Sequence, residues 1–246
     1  MKIRLCSDLH LNHYTSAKQT KILDGITSTK TPYDLLAVCG DVSEGPALIG
    51  HLRRIVEASA APVVFVPGNH DFSEVGELQN ARLRELEGEL EQFRAFTEPT
   101  WLAGNIAGCT YWYPYNEEVE TLARAWGWYD YRMIPDFVRF WKARNAEQDI
   151  FVGISAGAVV LSHMLPSFSL VHPVYREDKS NVFFVNPKGE DLIQRCKPKA
   201  WLFGHTHKWT DAMVHDTRCI ARPYGYPRES EKIDLKTYHE KATFDL

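Results

Sequence analysis

Short, mostly apolar runs alternate with amphipathic stretches along the start of the chain. Ile3 to Cys6, Leu35 to Cys39 and Val63 to Val66 are rich in Val, Leu and Ile and stop at polar or turn-forming residues. Their length and branched side chains predict buried strands. Between them, Ala17 to Ile26 and Ala47 to Ala58 carry helical spacing, the second through Leu48, Leu52, Ile55 and Val56. The resulting β-α-β-α-β order places each strand end where open α/β sheets bind ligands.

Glu77 to Phe96 is charged and amphipathic, with Leu78, Leu83, Leu86, Leu90 and Phe93 on or near one face. It predicts a surface helix with solvated charges. Trp101 to Asn105 and Cys109 to Tyr113 predict a hairpin with a loose Gly-containing turn. Pro114 to Asn145 is mostly helical in pattern and dense in aromatics, among them Trp126, Trp128, Tyr129, Tyr131, Phe137, Phe140 and Trp141. Strand-like segments return at Ile150 to Val152, Ala158 to Leu161, Ala200 to Phe203, Ala212 to Val214 and Arg218 to Ala221. A polar loop from Pro166 to Asn181 and a helix near Pro187 to Cys196 lie among them. Without a repeat, linker or low-complexity stretch, residues 1–246 are expected to form one domain, with an aromatic-rich helical elaboration at about 114–145.

Composition narrows the function classes. A chain of 246 residues, 44% hydrophobic, can bury a sizeable core. The formal net charge of -4 offers no general basic face, so an obligatory nucleic-acid partner is not expected. The five cysteines (Cys6, Cys39, Cys109, Cys196, Cys219) are an odd set without C-x-x-C spacing, as in reduced intracellular proteins. Met1 to Cys6 is too short for a signal-peptide core, and no apolar run approaches the ~20 residues needed to span a bilayer. A soluble, cytoplasmic protein with no membrane partner is the expectation.

The candidate chemistry lies at the strand ends. Asp8 and His10 fall in Ser-Asp-Leu-His, Asp41 in Cys-Gly-Asp, and Asn69 with His70 in Gly-Asn-His-Asp. His163 follows an apolar run, and His205 and His207 stand in Gly-His-Thr-His. Alternate residues of an extended or turning segment point the same way, so Asp-x-His and His-x-His each present two donors to one cation. Gly204 permits a tight exit from its strand. Either pair alone is weak evidence. Five of the ten histidines, however, stand at strand ends beside Gly, Asn or Asp, and packing does not account for that. Carboxylate, imidazole and amide donors suit borderline and hard divalent cations such as Mn, Fe or Zn. One carboxylate between two such ions can hold them about 3.5–4 Å apart. His13, His51, His172, His215 and His239 lack that setting and read as solvated or simply hydrogen-bonded, His172 being a partial exception in a loop near the site.

The motif order D-x-H, G-D, G-N-H-D, a lone His and G-H-x-H resembles the calcineurin-like metallophosphoesterase family, over Ile3 to about Pro227. Strings at Ser7 to Leu11, around His172-Pro173 and at Arg222 to Pro227 are similar to those of a small bacterial and phage-type branch. The resemblance implies an α/β fold, a four-layer α-β-β-α sandwich of two mixed sheets flanked by helices, metallo-dependent phosphatase-like. It implies two divalent metal ions, manganese before iron or zinc. Asp8, His10 and His207 would hold one, Asn69, His163 and His205 the other, and Asp41 would bridge them. His70 would be no ligand but a general acid near the leaving group, with Asp71 either orienting it or an ordinary surface side chain. The implied reaction is attack on phosphorus by a hydroxide held between the cations, while His70 protonates the departing oxygen.

Protein phosphatases of the same superfamily continue the second motif with Asp-Arg-Gly and end the third with Glu, whereas Val42-Ser43 and Asp71 stand here. The expected substrate is therefore a small phosphate ester, such as a nucleotide or cyclic nucleotide, and the expected activity a phosphodiesterase. A small-molecule phosphomonoesterase is the alternative, and a non-catalytic scaffold of the same fold a third. Asn12, where many relatives have Glu, and Met164, where many have a second His, bear on the substrate pocket. Arg222 can meet a phosphate and the aromatics of 111–131 can stack a base, though packing onto the core is the stronger reading for any one of them. Gly153-Ile154-Ser155-Ala156-Gly157 fits the G-x-S-x-G elbow, but that elbow needs a following helix and Ala158 to Leu161 reads as a strand.

Overall fold

Alternation inside the strands sorts the core into layers. The computed structural model describes residues 1–102, 105–148 and 154–246. One sheet is built from β1 (Lys2–Cys6), β2 (Leu35–Cys39), β3 (Val63–Val66), β4 (Phe93–Ala95) and β11 (Thr243–Asp245), in the order β11-β1-β2-β3-β4. Neighbours from β1 to β4 run parallel, and β11 lies antiparallel on β1. The other comprises β5 (Thr100–Leu102), β6 (Ile106–Gly108), β7 (Val159–Leu161), β8 (Ala200–Phe203), β9 (Thr210–Val214) and β10 (Thr217–Ala221), in the order β5-β6-β7-β8-β10-β9. Its four central strands are parallel, with β5 and β9 antiparallel at the edges.

Between the sheets, Ile3, Leu5, Leu35, Ala37, Cys39, Val64 and Val66 meet Ile106, Val159, Leu161, Ala200, Leu202 and Ile220. The intervening residues Cys6, Leu36, Val38, Val63 and Phe65 point the other way, onto α1 (Ser16–Ile26), α2 (Leu48–Ala58) and α3 (Leu78–Glu89). On the far side Val160, Trp201, Phe203 and Cys219 pack on Leu192 and Ile193 of α7 (Lys188–Cys196). The central strands β2, β3, β7 and β8 are thus apolar on both faces because helices or the second sheet cover both. Each fully buried Leu, Ile, Val or Phe side chain contributes about 1.5–3 kcal/mol. The four layers are those expected. No helix among the described residues is long and apolar enough to cross a membrane.

Three segments differ from the sequence-based expectation. The helix expected over Glu77 to Phe96 stops at Glu89. Leu90 turns extended, and Phe93 and Ala95 are buried around an exposed Arg94, the period-two pattern of an edge strand on β3. The hairpin exists, but its second strand is Ile106–Gly108. Cys109 to Tyr113 leaves the sheet to carry Trp112 and Tyr113 into an aromatic cluster. The chain end, unread from pattern, forms α8 (Leu235–Lys241) before β11. The strand expected at Ile150 to Val152, Gly104 of the expected hairpin and Gly153 of the G-x-S-x-G string lie outside the described residues. Past Gly157 that string enters β7, not a helix, and Ser155 is exposed and bonded to the side chain of Asn105.

The aromatic segment forms α4 (Glu117–Trp126), α5 (Tyr129–Met133) and α6 (Phe137–Gln148). Asn116 caps α4 through the Val119 N–H, and Gly127 ends it in the left-handed region. Phe137, Phe140 and Trp141 pack with Trp112 and Tyr113 around Phe72, just past the third motif, and Met164, beside His163. These helices therefore brace two of the site loops.

Candidate metal centre

The loops after β1, β2, β3, β7 and β8 converge at one edge of the sandwich and bring all eight candidate residues together. Five of them, Asp8, His10, Asp41, His205 and His207, have φ between 42° and 66°. Left-handed backbone at non-glycine residues costs energy and clusters at functional sites. Asp8 and His10 therefore meet through two left-handed turns flanking Leu9, not through an extended segment, and His205 and His207 do the same. Such turns need room. A Cβ on Gly68 would lie 2.2 Å from Asp41 Oδ1, and one on Gly40 2.3 Å from His163 Nδ1.

Two groups of donors result: Asp8, His10 and His207, and Asp41, His163 and His205, the donor atoms in each lying within 4.8 Å of one another. In the first, His10 Nε2 faces His207 Nε2 at 3.2 Å, and His207 Nε2 is 3.4 Å from Asp8 Oδ1. In the second, His163 Nε2 lies 3.3 Å from Asp41 Oδ2 and 3.2 Å from Asn69 Oδ1. The same Asp41 Oδ2 is 3.9 Å from His10 Nε2, so this carboxylate faces both groups. Two ring nitrogens aimed at each other, with His10 Nδ1 buried and unpartnered behind them, are better served by a cation than by one proton. The donor set fits two divalent ions.

Second partners hold these donors in place. His163 Nδ1 donates to the Cys39 carbonyl at 2.8 Å, which leaves Nε2 for a ligand. His205 Nε2 contacts the Phe183 carbonyl at 3.3 Å, leaving its Nδ1 free. His207 Nδ1 bonds Glu229 at 2.6 Å. Asn69 Nδ2 donates to Asp130 Oδ1 at 2.7 Å, and Tyr113 donates to Asp130 Oδ2 at 2.7 Å. Partners of this kind orient metal ligands and fix histidine tautomers.

Asp71 is neither a surface side chain nor the orienter of His70. It is fully buried and accepts from the N–H groups of Asp41 (2.8 Å), Val42 (3.0 Å), Ser43 (3.2 Å) and Gly68 (2.8 Å), stapling the second motif to the third. Burial and the neighbouring Asp41 push its carboxyl up to about 7, against those four donors.

His70 is oriented instead by its surroundings. Its N–H donates to Asp41 Oδ1 at 2.9 Å, its ring stacks on Tyr129 at 3.9 Å, and its Nε2 is 3.4 Å from the Tyr226 hydroxyl. Burial disfavours its cation, but Asp41 and Glu44 outweigh that and hold its pKa above the usual imidazole value. Burial lowers His10 and His205 to about 3, leaving both as neutral donors. Burial also opposes the charge on His163 and His207, yet Asp41 lifts the first to about 9, and Asp8 with Glu229 lifts the second to about 10. Protons thus sit where cations would compensate the same carboxylates.

A cavity of about 450 Å³ opens above this floor, lined by Asp41, Asn69, His70, His205 and His207 together with Trp128, Tyr129, Tyr175, Tyr226 and Phe184. His172 also lines it, as its loop position anticipated. Arg222 does not. Its guanidinium is spent on the carbonyls of Thr210, Ala221 and Lys241 and on Asp211. Of the aromatics between 111 and 131, Trp112 and Tyr113 are buried packing, whereas Trp128 and Tyr129 face the cavity. Asn12 accepts from Ser43 Oγ and the Glu44 N–H, shaping the loop after β2.

Asp130, Glu229, Glu44 and Tyr226 were not singled out from sequence. A lone acid between Tyr129 and Tyr131 was the available signal for Asp130; nothing marks Glu229.

The family profile of calcineurin-like phosphoesterases matches residues 1–209. The chain belongs to this family. Its members are dinuclear-metal-dependent hydrolases of phosphate esters, and the two donor groups are what such an enzyme needs. Solved structures share the fold at low identity. A phosphopantetheinyl hydrolase from Mycobacterium tuberculosis superposes with a TM-score of 0.71 at 18% identity, covering 96% of this chain and 94% of that one. The protein TT1561 of Thermus thermophilus gives 0.56 at 14%, covering 96% and 95%. A dimetal phosphatase from Danio rerio gives 0.50 at 13%, covering 90% and 86%. No curated protein matches the sequence significantly.

Proposed function

We propose that this calcineurin-like phosphoesterase is a phosphodiesterase acting on a small organic phosphodiester, a nucleotide or cyclic nucleotide being the first class to test. The observation that carries the activity is Asp41, which faces both donor groups on the floor of a cavity that His70 also lines. Asp8, His10 and His207 would hold one divalent cation and Asn69, His163 and His205 the other, with Asp41 shared, manganese being the first ion to try. Such a pair of cations lowers the pKa of water and draws charge from phosphoryl oxygens.

The chain's own residues do the rest. His70 is held by Asp41, Tyr129 and Tyr226, its pKa is raised by Asp41 and Glu44, and in its protonated form it gives a proton to the oxygen that leaves phosphorus. Trp128, Tyr129 and Tyr226 supply apolar surface for the organic groups. A preference for diesters is supported by the lining, which among the described residues includes one lysine and no arginine. A diester monoanion demands less compensation than a monoester dianion. Five cysteines without a disulfide support a reducing, cytoplasmic setting.

The deciding experiment is hydrolysis of bis-p-nitrophenyl phosphate and p-nitrophenyl phosphate by EDTA-stripped protein, with and without Mn²⁺. Metal-restored cleavage with the diester preferred is the expected result. A monoester preference overturns the phosphodiesterase assignment, and metal binding without cleavage of either overturns the activity.

A further inference from the structure

We propose that Lys208 makes the site selective for phosphodiesters that carry a second anionic group, a phosphate or carboxylate, on their organic part; this rests on the phosphodiesterase reading above. Lys208 directly follows His207, is half-buried and lines the cavity. Among the described residues no carboxylate pairs with its ammonium. The acids on the same wall are committed elsewhere. Glu229 is taken by His207 and by the Tyr226 N–H, and Asp178 caps the turn at Ser180. The arginines nearby in sequence, Arg218 and Arg222, both pair with Asp211. Lys208 is therefore a cation lining the cavity with no paired carboxylate among the described residues.

The floor does not need it. Two donor groups provide for the scissile phosphoryl group, and a cavity of about 450 Å³ is sized for a whole small molecule. A partly desolvated ammonium gains most from an anion that completes its shell, and lysine presents a point charge on a flexible stem suited to phosphate or carboxylate. A substrate whose only charge is the scissile diester leaves Lys208 unpaired.

The test uses two chromogenic diesters with the same reporter: thymidine 5′-(p-nitrophenyl phosphate) with and without a 3′-phosphate. The full chain, loaded with Mn²⁺, is expected to favour the 3′-phosphorylated ester in kcat/KM by about tenfold, the scale of one charge-assisted hydrogen bond. Lys208→Gln should abolish that ratio by raising KM for the phosphorylated ester, and Lys208→Arg should retain it. No preference in the parent protein, or an unchanged ratio in Lys208→Gln, overturns the assignment. Calorimetry with thymidine 3′,5′-bisphosphate reads the same contact without turnover. About tenfold weaker binding in Lys208→Gln supports it, and equal Kd overturns it. Selective binding through Lys208 with neither ester cleaved would instead sink the phosphodiesterase reading and leave this one standing.

Discussion

Asn69 Nδ2 donates to Asp130 Oδ1 at 2.7 Å, so a buried acid of α5 decides which way the amide of a candidate metal ligand points. With the NH₂ end held there, Asn69 presents Oδ1 to His163 Nε2 at 3.2 Å. Tyr113 holds the acid's other oxygen. Asp130→Ala should weaken binding of the Mn²⁺ ion that Asn69 would help to hold by roughly 10–100-fold, the usual effect of losing an orienting partner. Tyr113→Phe should do less, because Asp130 keeps its bond to Asn69. Calorimetric titration of the stripped variants decides the matter: two ions bound with parental affinities in Asp130→Ala would remove Asp130 from the site's support.

Asp41 and His70 should separate metal content from turnover. Asp41 Oδ2 lies within 3.9 Å of a nitrogen in each donor group, so Asp41→Asn should weaken both ions together. His70 is tied to Asp41 only through its backbone N–H, and His70→Ala should spare metal content while lowering kcat by about 10²–10⁴-fold. Elemental analysis beside turnover of bis-p-nitrophenyl phosphate tests both. Full metal content and rate in Asp41→Asn would end the shared-ligand assignment.

The rate should fall on the alkaline side as His70 loses its proton. Its pKa is raised: burial opposes the cation, but Asp41 and Glu44 favour it. The acid form is needed, and once cations engage Asp41 it is Glu44 that is left to favour the proton. Glu44 Oε1 sits 3.7 Å from His70 Nδ1, and Glu44→Gln should move the limb to lower pH. A pH profile of kcat for both proteins measures the shift, and an unmoved limb would assign it to another group.

Asp71 should matter to stability more than to chemistry. Replacing it with Ala strands four backbone N–H groups, on Asp41, Val42, Ser43 and Gly68. A buried unpaired donor costs about 1–3 kcal/mol, so a loss of at least about 3 kcal/mol is expected once water reaches some of them. Asp71→Asn keeps one good acceptor and should fall between. Urea denaturation giving Asp71→Ala within about 1 kcal/mol of the parent would mean that the loops find other partners.

What was legible from sequence is local. Strands β2, β3 and β8 and the ligands at strand ends were readable because apolar runs and their terminating motifs are adjacent in the chain. Phe93 was misplaced because Leu86, Leu90 and Phe93 fit helical spacing while Phe93 and Ala95 also fit a strand, and only the free edge of β3 decides between them. Asp130 and Glu229 reach Asn69 and His207 across 61 and 22 residues, distances at which no spacing rule operates. Asp71 belonged to a motif that was read, yet its partners lie mostly on another loop, so its role as a staple appears only once the loops are folded together.

The metal-free protein should lose stability as pH rises, and metal should restore it increasingly. Carboxylates outweigh burial and raise His163 to about 9 and His207 to about 10 in the folded chain, against about 6.5 unfolded. A raised pKa contributes stability that is complete below pH 6.5 and is lost as pH climbs through the folded value. His10 and His205, lowered to about 3 by burial, are neutral in the fold, while their unfolded forms still hold some proton at about pH 6.5. They add a small opposing slope that fades by about pH 8 and is common to loaded and stripped protein. Buried thiols such as Cys6 and Cys109, pushed up to about 12, add an alkaline loss of their own above about pH 8, with or without metal. The informative quantity is therefore the difference between loaded and stripped protein. Cations that replace the protons on His163 and His207 bind more tightly as pH rises, so the Tm gain from Mn²⁺ should grow from pH 6.5 to 8.5. His207→Gln should flatten that growth. A Tm gain independent of pH in the parent protein would mean that these histidines surrender no protons to the metal, and would remove His163 and His207 from the ligand set.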